Sequence, residues 1–146
     1  MESRRKIILT DIQHENGKQR AIELTTWGSF SGTDEDYALN FDEIFSESMK
    51  SHTEITVSSS GLVSIVRRGD VCTDITVEKG RYHNCYYTNS YGDLVRGLSA
   101  SRIDSQVKNG EGKLNLVYRI DYSTGLRVKK ELIVDITKTG ATAADA

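Results

Sequence analysis

The chain has 146 residues, a length that suits one domain able to bury a core without disulfides. Charged residues make up 27% of it, and the net charge is −2 with both signs spread along the sequence. This balance argues against nucleic acid as the main partner, because phosphate binding usually requires a basic face.

The composition favours strands over helices. The chain contains 10 Val, 12 Ile and 13 Thr, against 10 Leu and 7 Ala. β-branched side chains suit a pleated, half-buried surface. Proline is absent, so every strand keeps its backbone donors, and the turns are left to the 12 glycines and to Asn, Asp and Ser. We therefore expect an all-β protein.

In chain order, the first predicted strand ends at Asn16-Gly17, the strongest short hairpin signal, since a type I′ turn needs positive φ at both central residues. Glycine turns separate the later segments. One stretch, 44–51, is less regular and is predicted to hold a helical turn or a long loop. The predicted strands are 5–14, 19–30, 36–43, 52–58, 61–68, 71–78, 81–88, 93–103, 113–122 and 126–137.

The last two segments alternate most cleanly, with one apolar face and one charged face. No long helix covers the apolar face, so the sheet must fold back on itself, and short hairpin links favour an up-and-down barrel. We predict a single antiparallel β-barrel over 1–139 and a disordered tail over 140–146. The apolar face comprises Leu114, Leu116, Tyr118, Ile120 and Tyr122, then Leu126, Val128, Leu132, Val134 and Ile136.

Four segments stand out by their order and spacing: Tyr37-x-Leu39-x-Phe41-x-Glu43; Val63-x-Ile65-x-Arg67-Arg68-Gly69-x-Val71; Tyr86-Tyr87-Thr88 followed by Tyr91-Gly92-Asp93-Leu94; and Gly112-Lys113-Leu114-x-Leu116-x-Tyr118. In these segments the chain resembles the YwiB-like family, bacterial domains of unknown function with a lipocalin-like (calycin) barrel. The resemblance covers residues 7–137. It implies a mostly up-and-down, lipocalin-like β-barrel and brings no assigned activity.

Two charged side chains fall on faces that are otherwise apolar. Glu43 extends the alternating face that begins at Tyr37, and Arg67 extends the one that begins at Val63. Both are therefore predicted inside or at the mouth of the barrel, where a charge must be paired. One interpretation is a wall that orients a small anionic ligand. The other is that Glu43 and Arg67 pair with each other, or reach water at strand ends.

Arg96 and Lys130 repeat this pattern on their own strands. Tyrosines are a second candidate set, because Tyr82, Tyr86 and Tyr118 could line a cavity and offer their hydroxyls to a ligand. The alternative is a core or rim aromatic with a satisfied hydroxyl. The predicted ligand-binding residues are Tyr37, Glu43, Arg67 and Tyr118.

Catalytic and metal sites are not predicted. His14, His52 and His83 lie in separate segments without the spacing of metal ligands. The sequence displays no nucleophile motif and no ordered triad. We therefore expect no catalytic residue, no metal and no cofactor, and a protein that is not an enzyme.

Two functions remain open for such a barrel. The first is a bacterial binding module that holds a small, anionic ligand in the barrel or at its mouth. The second is a structural or interaction protein with a filled barrel and no ligand, either monomer or homodimer. Two cysteines are too few for a secreted disulfide framework, and no apolar run could cross a bilayer. We expect a cytoplasmic protein without nucleic-acid or membrane partners.

Overall fold

The computed structural model describes residues 3–83 and 95–138, most of which lie in nine strands. The predicted tail at 140–146, residues 84–88 of the predicted strand 81–88, and the side chain of Arg96 lie outside the described residues. The strands are β1 (Ser3–Glu15), β2 (Lys18–Gly32), β3 (Tyr37–Ser46), β4 (Met49–Val57), β5 (Leu62–Gly69), β6 (Thr73–Glu78), β7 (Val95–Lys108), β8 (Glu111–Tyr122) and β9 (Arg127–Lys138).

The strands form one antiparallel sheet in the order β6-β5-β4-β3-β2-β1-β9-β8-β7. Neighbours in this order are also neighbours along the chain, except that β1 pairs with β9. Isolated bridges from Lys79 to Ala100 and from His83 to Leu98 bring the two ends of the order together. The sheet is therefore a nearly closed barrel, and the predicted antiparallel up-and-down fold is confirmed.

The interior of the barrel holds the core. Alternate residues of each strand point inward, and the buried apolar side chains form one cluster to which all nine strands contribute. In β8 every second residue from Leu114 to Tyr122 is buried, as predicted. Burying one aliphatic side chain of this kind stabilises a fold by about 1.5–3 kcal/mol.

Nowhere in the described ranges does a helix have the length and hydropathy that crossing a membrane requires.

Tight hairpins fix the register at both ends of the barrel. Asn16 and Gly17 have φ of 53° and 75°, so the predicted hairpin is confirmed. Asn109 and Gly110 repeat this geometry between β7 and β8, with φ of 56° and 74°. We call the end with the Asn16-Gly17 turn the upper end and the end with the Asn109-Gly110 turn the lower end.

The stretch 44–51 is not a helical turn or a long loop, so this part of the prediction was wrong. β3 continues to Ser46, and β4 begins at Met49 after a two-residue link. The pairing shifts between Ile44 and Ser46, as in a β-bulge. Because a bulge gives one strand an extra residue, it disturbs the alternation of side chains and hides the strand from a periodicity argument.

Side chains tie the lower end of the barrel together. The Asp34 carboxylate accepts the backbone N–H groups of Asn109 at 2.9 Å and Gly110 at 3.0 Å. These hydrogen bonds hold the pKa of Asp34 below its ordinary value. From inside the barrel, Arg5 Nε donates to the Gly110 carbonyl at 2.8 Å. One turn is thus held by β1 and by the link between β2 and β3, both distant from it in sequence.

Candidate functional site

A polar cluster lies inside the upper half of the barrel, on β3, β4, β5 and β6. Glu43 Oε1 accepts hydrogen bonds from Arg67 Nε at 2.8 Å and from the Thr53 hydroxyl at 2.7 Å. Arg67 Nη1 also lies 3.4 Å from the Thr73 hydroxyl. The Arg67 and Glu43 side chains are only 11% and 8% exposed. We call these four residues the interior cluster.

Strand register explains why the interior cluster forms. Arg67 lies directly between Thr53 and Thr73 on the neighbouring strands, so their inward side chains share one row. Glu43 lies two residues further up β3 than Phe41, the partner of Thr53. Long side chains span such diagonal neighbours across a sheet. The carboxylate therefore reaches the guanidinium across β4, where the Thr53 hydroxyl also donates to it.

The pairing of Glu43 with Arg67 decides how the cluster acts chemically. Burying either charge alone would cost several kcal/mol, and the ion pair with its hydrogen bonds offsets that penalty. The guanidinium faces a carboxylate, so the pair presents no net positive charge to an anion. The structure thus brings two of the predicted ligand-binding residues together as partners of each other.

Tyr37 lies near the opposite end of β3 from Glu43, about 20 Å away along the strand. Its hydroxyl lies 2.7 Å from the Ser105 hydroxyl, and its ring stacks on Phe30 with the centroids 5.2 Å apart. Burial raises the pKa of Tyr37, against the opposing effect of the Ser105 hydrogen bond. Tyr37 thus helps to close the lower end and is not part of the interior cluster.

Tyr118 occupies a third position, buried on β8 between Ala100 of β7 and Lys130 of β9. Lys130 also faces the interior, where its Nζ lies 3.2 Å from Asp11 Oδ2 on β1. The barrel therefore encloses a second ion pair, on strands other than those of the interior cluster. The four predicted residues occupy three separate regions of the interior.

The wall of the barrel divides between β2 and β3. These strands pair only between Gly28 and Phe41 at the upper limit and Gly32 and Tyr37 at the lower limit. Above Gly28, β2 continues to Lys18 and β3 to Ser46 without pairing to each other. We call the place where they separate the fork.

Gly28 allows the two strands to meet so closely at the fork. A Cβ atom at this position would lie 2.2 Å from the Asn40 carbonyl oxygen and 2.8 Å from the Phe41 Cβ. Above the fork, the Thr26 hydroxyl still donates to the Asp42 carbonyl at 3.0 Å. A side-chain contact has replaced the backbone ladder there.

On the outer face, the fork opens into a groove of about 520 Å³, which we call the fork groove. Trp27 lies on its wall and is 46% exposed. The Arg4 guanidinium carbon lies 5.3 Å from the centre of the Trp27 ring, a cation–π arrangement. The residues that line the groove are Ser3, Arg4, Trp27, Gly28, Ser29, Asn40, Phe41, Asp42 and His52.

Polar groups from β3 and β4 form the far wall of the fork groove. His52 Nδ1 lies 3.1 Å from Asp42 Oδ1, and His52 Nε2 lies 3.1 Å from Asn40 Oδ1. Asn40 Nδ2 in turn donates to Glu54 Oε2 at 3.4 Å. These contacts hold the imidazole between two side-chain oxygen atoms and orient it as part of the wall.

Arg4 differs from Arg67 in its partners. No ion pair to Arg4 is found in the described ranges, where its side chain contacts the Trp27 ring. Its guanidinium donors can therefore reach a carboxylate or phosphate from outside.

Metal binding is not supported in residues 3–83 and 95–138, which contain no group of three or more His, Cys, Asp or Glu placed to share an ion.

The fork groove was missed by sequence reasoning. The available signal was Trp27, the single tryptophan, which lies on the polar, outward parity of β2. A large aromatic residue on a solvent-facing parity is more informative than another residue of an apolar face.

Comparisons with known proteins identify a family and a solved structure with a similar fold. A family model described as a domain of unknown function, DUF1934, matches residues 7–143. The crystal structure of the ywiB protein from Bacillus subtilis is similar, with a TM-score of 0.72 and 22% identity, over 92% of each chain. At this identity the likeness shows the fold alone. No curated protein matches the chain.

Proposed function

Since the chain belongs to the DUF1934 family of domains of unknown function, as the resemblance predicted, we propose its function from its own geometry. It is a non-catalytic binding module that holds a small anionic ligand in the fork groove. This is the ligand class expected from the sequence, placed outside the barrel wall instead of within it. The observation that carries the proposal is Arg4, stacked on a half-exposed Trp27 beside a groove of about 520 Å³.

The chemistry of the groove defines the ligand class. Ligand sites typically enclose about 300–1,000 Å³ and combine apolar surface with a few placed polar groups. Here Trp27 supplies the apolar surface, Arg4 the cation, and Asn40 with His52 the polar contacts, while the Asp42 carboxylate on the far wall lies against His52. A small molecule with a planar ring and a carboxylate or phosphate group satisfies these features together.

Trp27 makes the proposal directly testable, because it is the only tryptophan and lies in the groove. We expect titration with benzoate, phenyl phosphate or inorganic phosphate to change Trp27 emission in a saturable way. Arg4→Ala should weaken binding about tenfold or more, since hydrogen bonds to charged groups contribute about 1.5–3 kcal/mol. Arg102→Ala, which removes an exposed arginine on β7, is the matched control and should leave the titration unchanged.

A second candidate function is a filled barrel that acts only through its surface. It is favoured by the contiguous buried core to which all nine strands contribute, and by Glu43 and Arg67 satisfying each other. If none of the probes saturates, or if Arg4→Ala and Arg102→Ala behave alike, this candidate replaces the first. Both candidates are non-catalytic and need no cofactor.

We also propose that the protein is cytoplasmic. Cys72 is a free and exposed thiol, which suits a reducing compartment. The partner is a small molecule rather than nucleic acid, since the net charge is −2.

A further inference from the structure

Above the fork, one edge of β2 lacks a neighbouring strand. Residues 18–27 pair with β1 on one side, in a continuous register from Ser3 to Glu15 of that strand. On the other side, pairing with β3 begins only at Gly28. In the described part of the chain no strand covers the remaining ten residues, which we call the free edge. The backbone N–H and C=O groups that point away from β1 are open to another strand, except beside Thr26, whose hydroxyl contacts Asp42 of β3.

The free edge lacks several features that prevent strands from associating. Edge strands are usually protected by charged side chains, by proline, by a bulge, by a short length or by a covering loop, and the free edge carries the charges of Lys18, Arg20 and Glu23. This chain has no proline, and the pairing of β2 with β1 shows no register shift. Ile22, near the middle of the free edge, is 67% exposed. An exposed apolar residue on an open edge favours strand addition.

We propose that the free edge pairs antiparallel with the same edge of a second copy of this chain, about a two-fold axis at Ile22. A two-fold axis perpendicular to the sheet makes two identical edges antiparallel neighbours, and the interface closes on itself. It also keeps the inner faces of both copies on the same side. The exposed Ile22 then packs against the partner's Ile22.

Charge selects this register over its neighbours. With the axis at Ile22, Arg20 lies opposite Leu24 of the partner subunit and Glu23 lies opposite the partner's Ala21. Moving the axis to Glu23 or to Arg20 would place like charges directly opposite each other, which is destabilising. Moving it to Ala21 would set Ile22 against an arginine. With the axis at Ile22, no like charges lie directly opposite each other, and Ile22 faces the partner's Ile22.

Length supports the same register. Pairing about Ile22 runs from Gln19 to Thr25 on each copy, seven residues that fit within the free edge. The ladder ends before Thr26, whose hydroxyl donates to the Asp42 carbonyl of β3, and before Gly28, where backbone pairing with β3 begins, so the two strands do not compete. The partner's Asn16-Gly17 turn then lies beside Trp27. Gly17 meets no atom within 4 Å of a Cβ position, so the turn has open space around it.

Disulfide trapping tests the proposed axis. In a Cys72→Ser, Cys85→Ser background, Ile22→Cys places two thiols directly opposite, with Cβ atoms about 4.5–5.5 Å apart. Mild oxidation should then convert most of the protein to a disulfide-linked dimer, since this spacing is near that of a disulfide. Ile44→Cys is the matched control, because Ile44 is 62% exposed but lies on β3, away from the axis. Equal cross-linking of the two variants would overturn the proposal.

Analytical ultracentrifugation supplies an independent readout without cysteines. The unmodified chain should show a concentration-dependent monomer–dimer equilibrium. Ile22→Lys sets two ammonium groups against each other at the axis and should raise the dimer Kd at least tenfold. Thr56→Lys adds the same charge at an exposed position of β4 and should leave the Kd unchanged. A chain that is monomeric at every concentration, or a dimer that both variants weaken equally, contradicts the proposal.

Failure here is distinguishable from failure of the proposed ligand site. Trp27 fluorescence reports the fork groove in the Ile22→Lys monomer as well as in the dimer. Ligand binding without dimers leaves the proposed function standing, and dimers without ligand binding leave this inference standing.

Discussion

The lower and upper ends of the barrel are held by different interactions. At the lower end, one carboxylate, Asp34, and one guanidinium, Arg5, bind the backbone of the Asn109-Gly110 turn. At the upper end, the interior carries an ion pair between side chains, and the wall divides at the fork. A closed end provides a rigid base, whereas an open end leaves groups free to contact a ligand or a second chain. We therefore assign both proposed interactions to the fork and to the strand edge above it.

The largest expected loss of stability concerns the buried ion pair at the upper end. Arg67→Met leaves Glu43 buried without its cation and should lower the free energy of unfolding by about 3–5 kcal/mol. The double variant Arg67→Met with Glu43→Leu removes both charges and should be more stable than Arg67→Met alone. Urea denaturation of both single variants and the double variant measures this coupling.

An exposed ion pair is the matched control for that measurement. Lys113 Nζ lies 3.7 Å from Asp135 Oδ1, and both side chains are substantially exposed. Lys113→Met should change stability by no more than about 1 kcal/mol. Additive losses in the Glu43 and Arg67 variants would show that the buried pair is not a unit.

A smaller effect is expected at the lower end. Tyr37→Phe removes the hydroxyl that meets Ser105 but keeps the ring on Phe30, so stability should fall by about 1 kcal/mol. Ser105→Ala should cost a similar amount, and the double variant should cost little more than either single one. If the Tyr37→Phe loss matched that of Arg67→Met, the distinction between the two ends would disappear.

The smallest effect concerns the pH dependence of the lower end. The pKa of Asp34 lies below its ordinary value of 3.8 because two backbone N–H groups favour the charged form. A depressed pKa stabilises the fold above about pH 3.8, and this stabilisation is lost as the pH falls through the folded-state pKa. Asp34→Asn should therefore be less stable than the unmodified chain near neutral pH, and the difference should shrink in acid.

Glu35→Gln is the control for the pH experiment, because Glu35 is an exposed neighbour of Asp34 and the substitution removes the same charge. Urea midpoints of the three proteins, measured from neutral pH to below 3.8, show whether the difference narrows. A constant difference across that range would show that the carboxylate charge does not hold the turn.

Much of the fold follows from local sequence. The alternation of apolar and polar residues identified β8 and β9. Their inward residues, from Leu114 to Tyr122 and from Val128 to Ile136, are buried without interruption. The Asn16-Gly17 turn was predictable because few dipeptides tolerate positive φ at both positions. Parity alone also placed Glu43 and Arg67 on inward faces. Each of these inferences depends on residues close together in the chain.

The remaining features depend on pairing between distant segments. Parity shows that Glu43 points inward, but only the register of β3, β4 and β5 shows that Arg67 lies within reach. The bulge between Ile44 and Ser46 interrupts the alternation that a sequence argument uses. The fork is the hardest case, because Ile22 and Leu24 alternate as they would in a strand paired on both edges. Whether β3 covers them is decided by the point at which the two strands separate.

The pairing of β1 with β9 has a consequence for synthesis on the ribosome. β1 leaves the ribosome first among these strands. Its residues from Arg5 to His14 nevertheless pair with β9, which is made last among them. The hairpins from β1 to β6 can form as they emerge, but the barrel cannot close until translation has passed residue 138. Contacts so distant in sequence slow folding and leave strand edges exposed meanwhile. Nascent chains stalled before β9 should therefore remain sensitive to protease at β1.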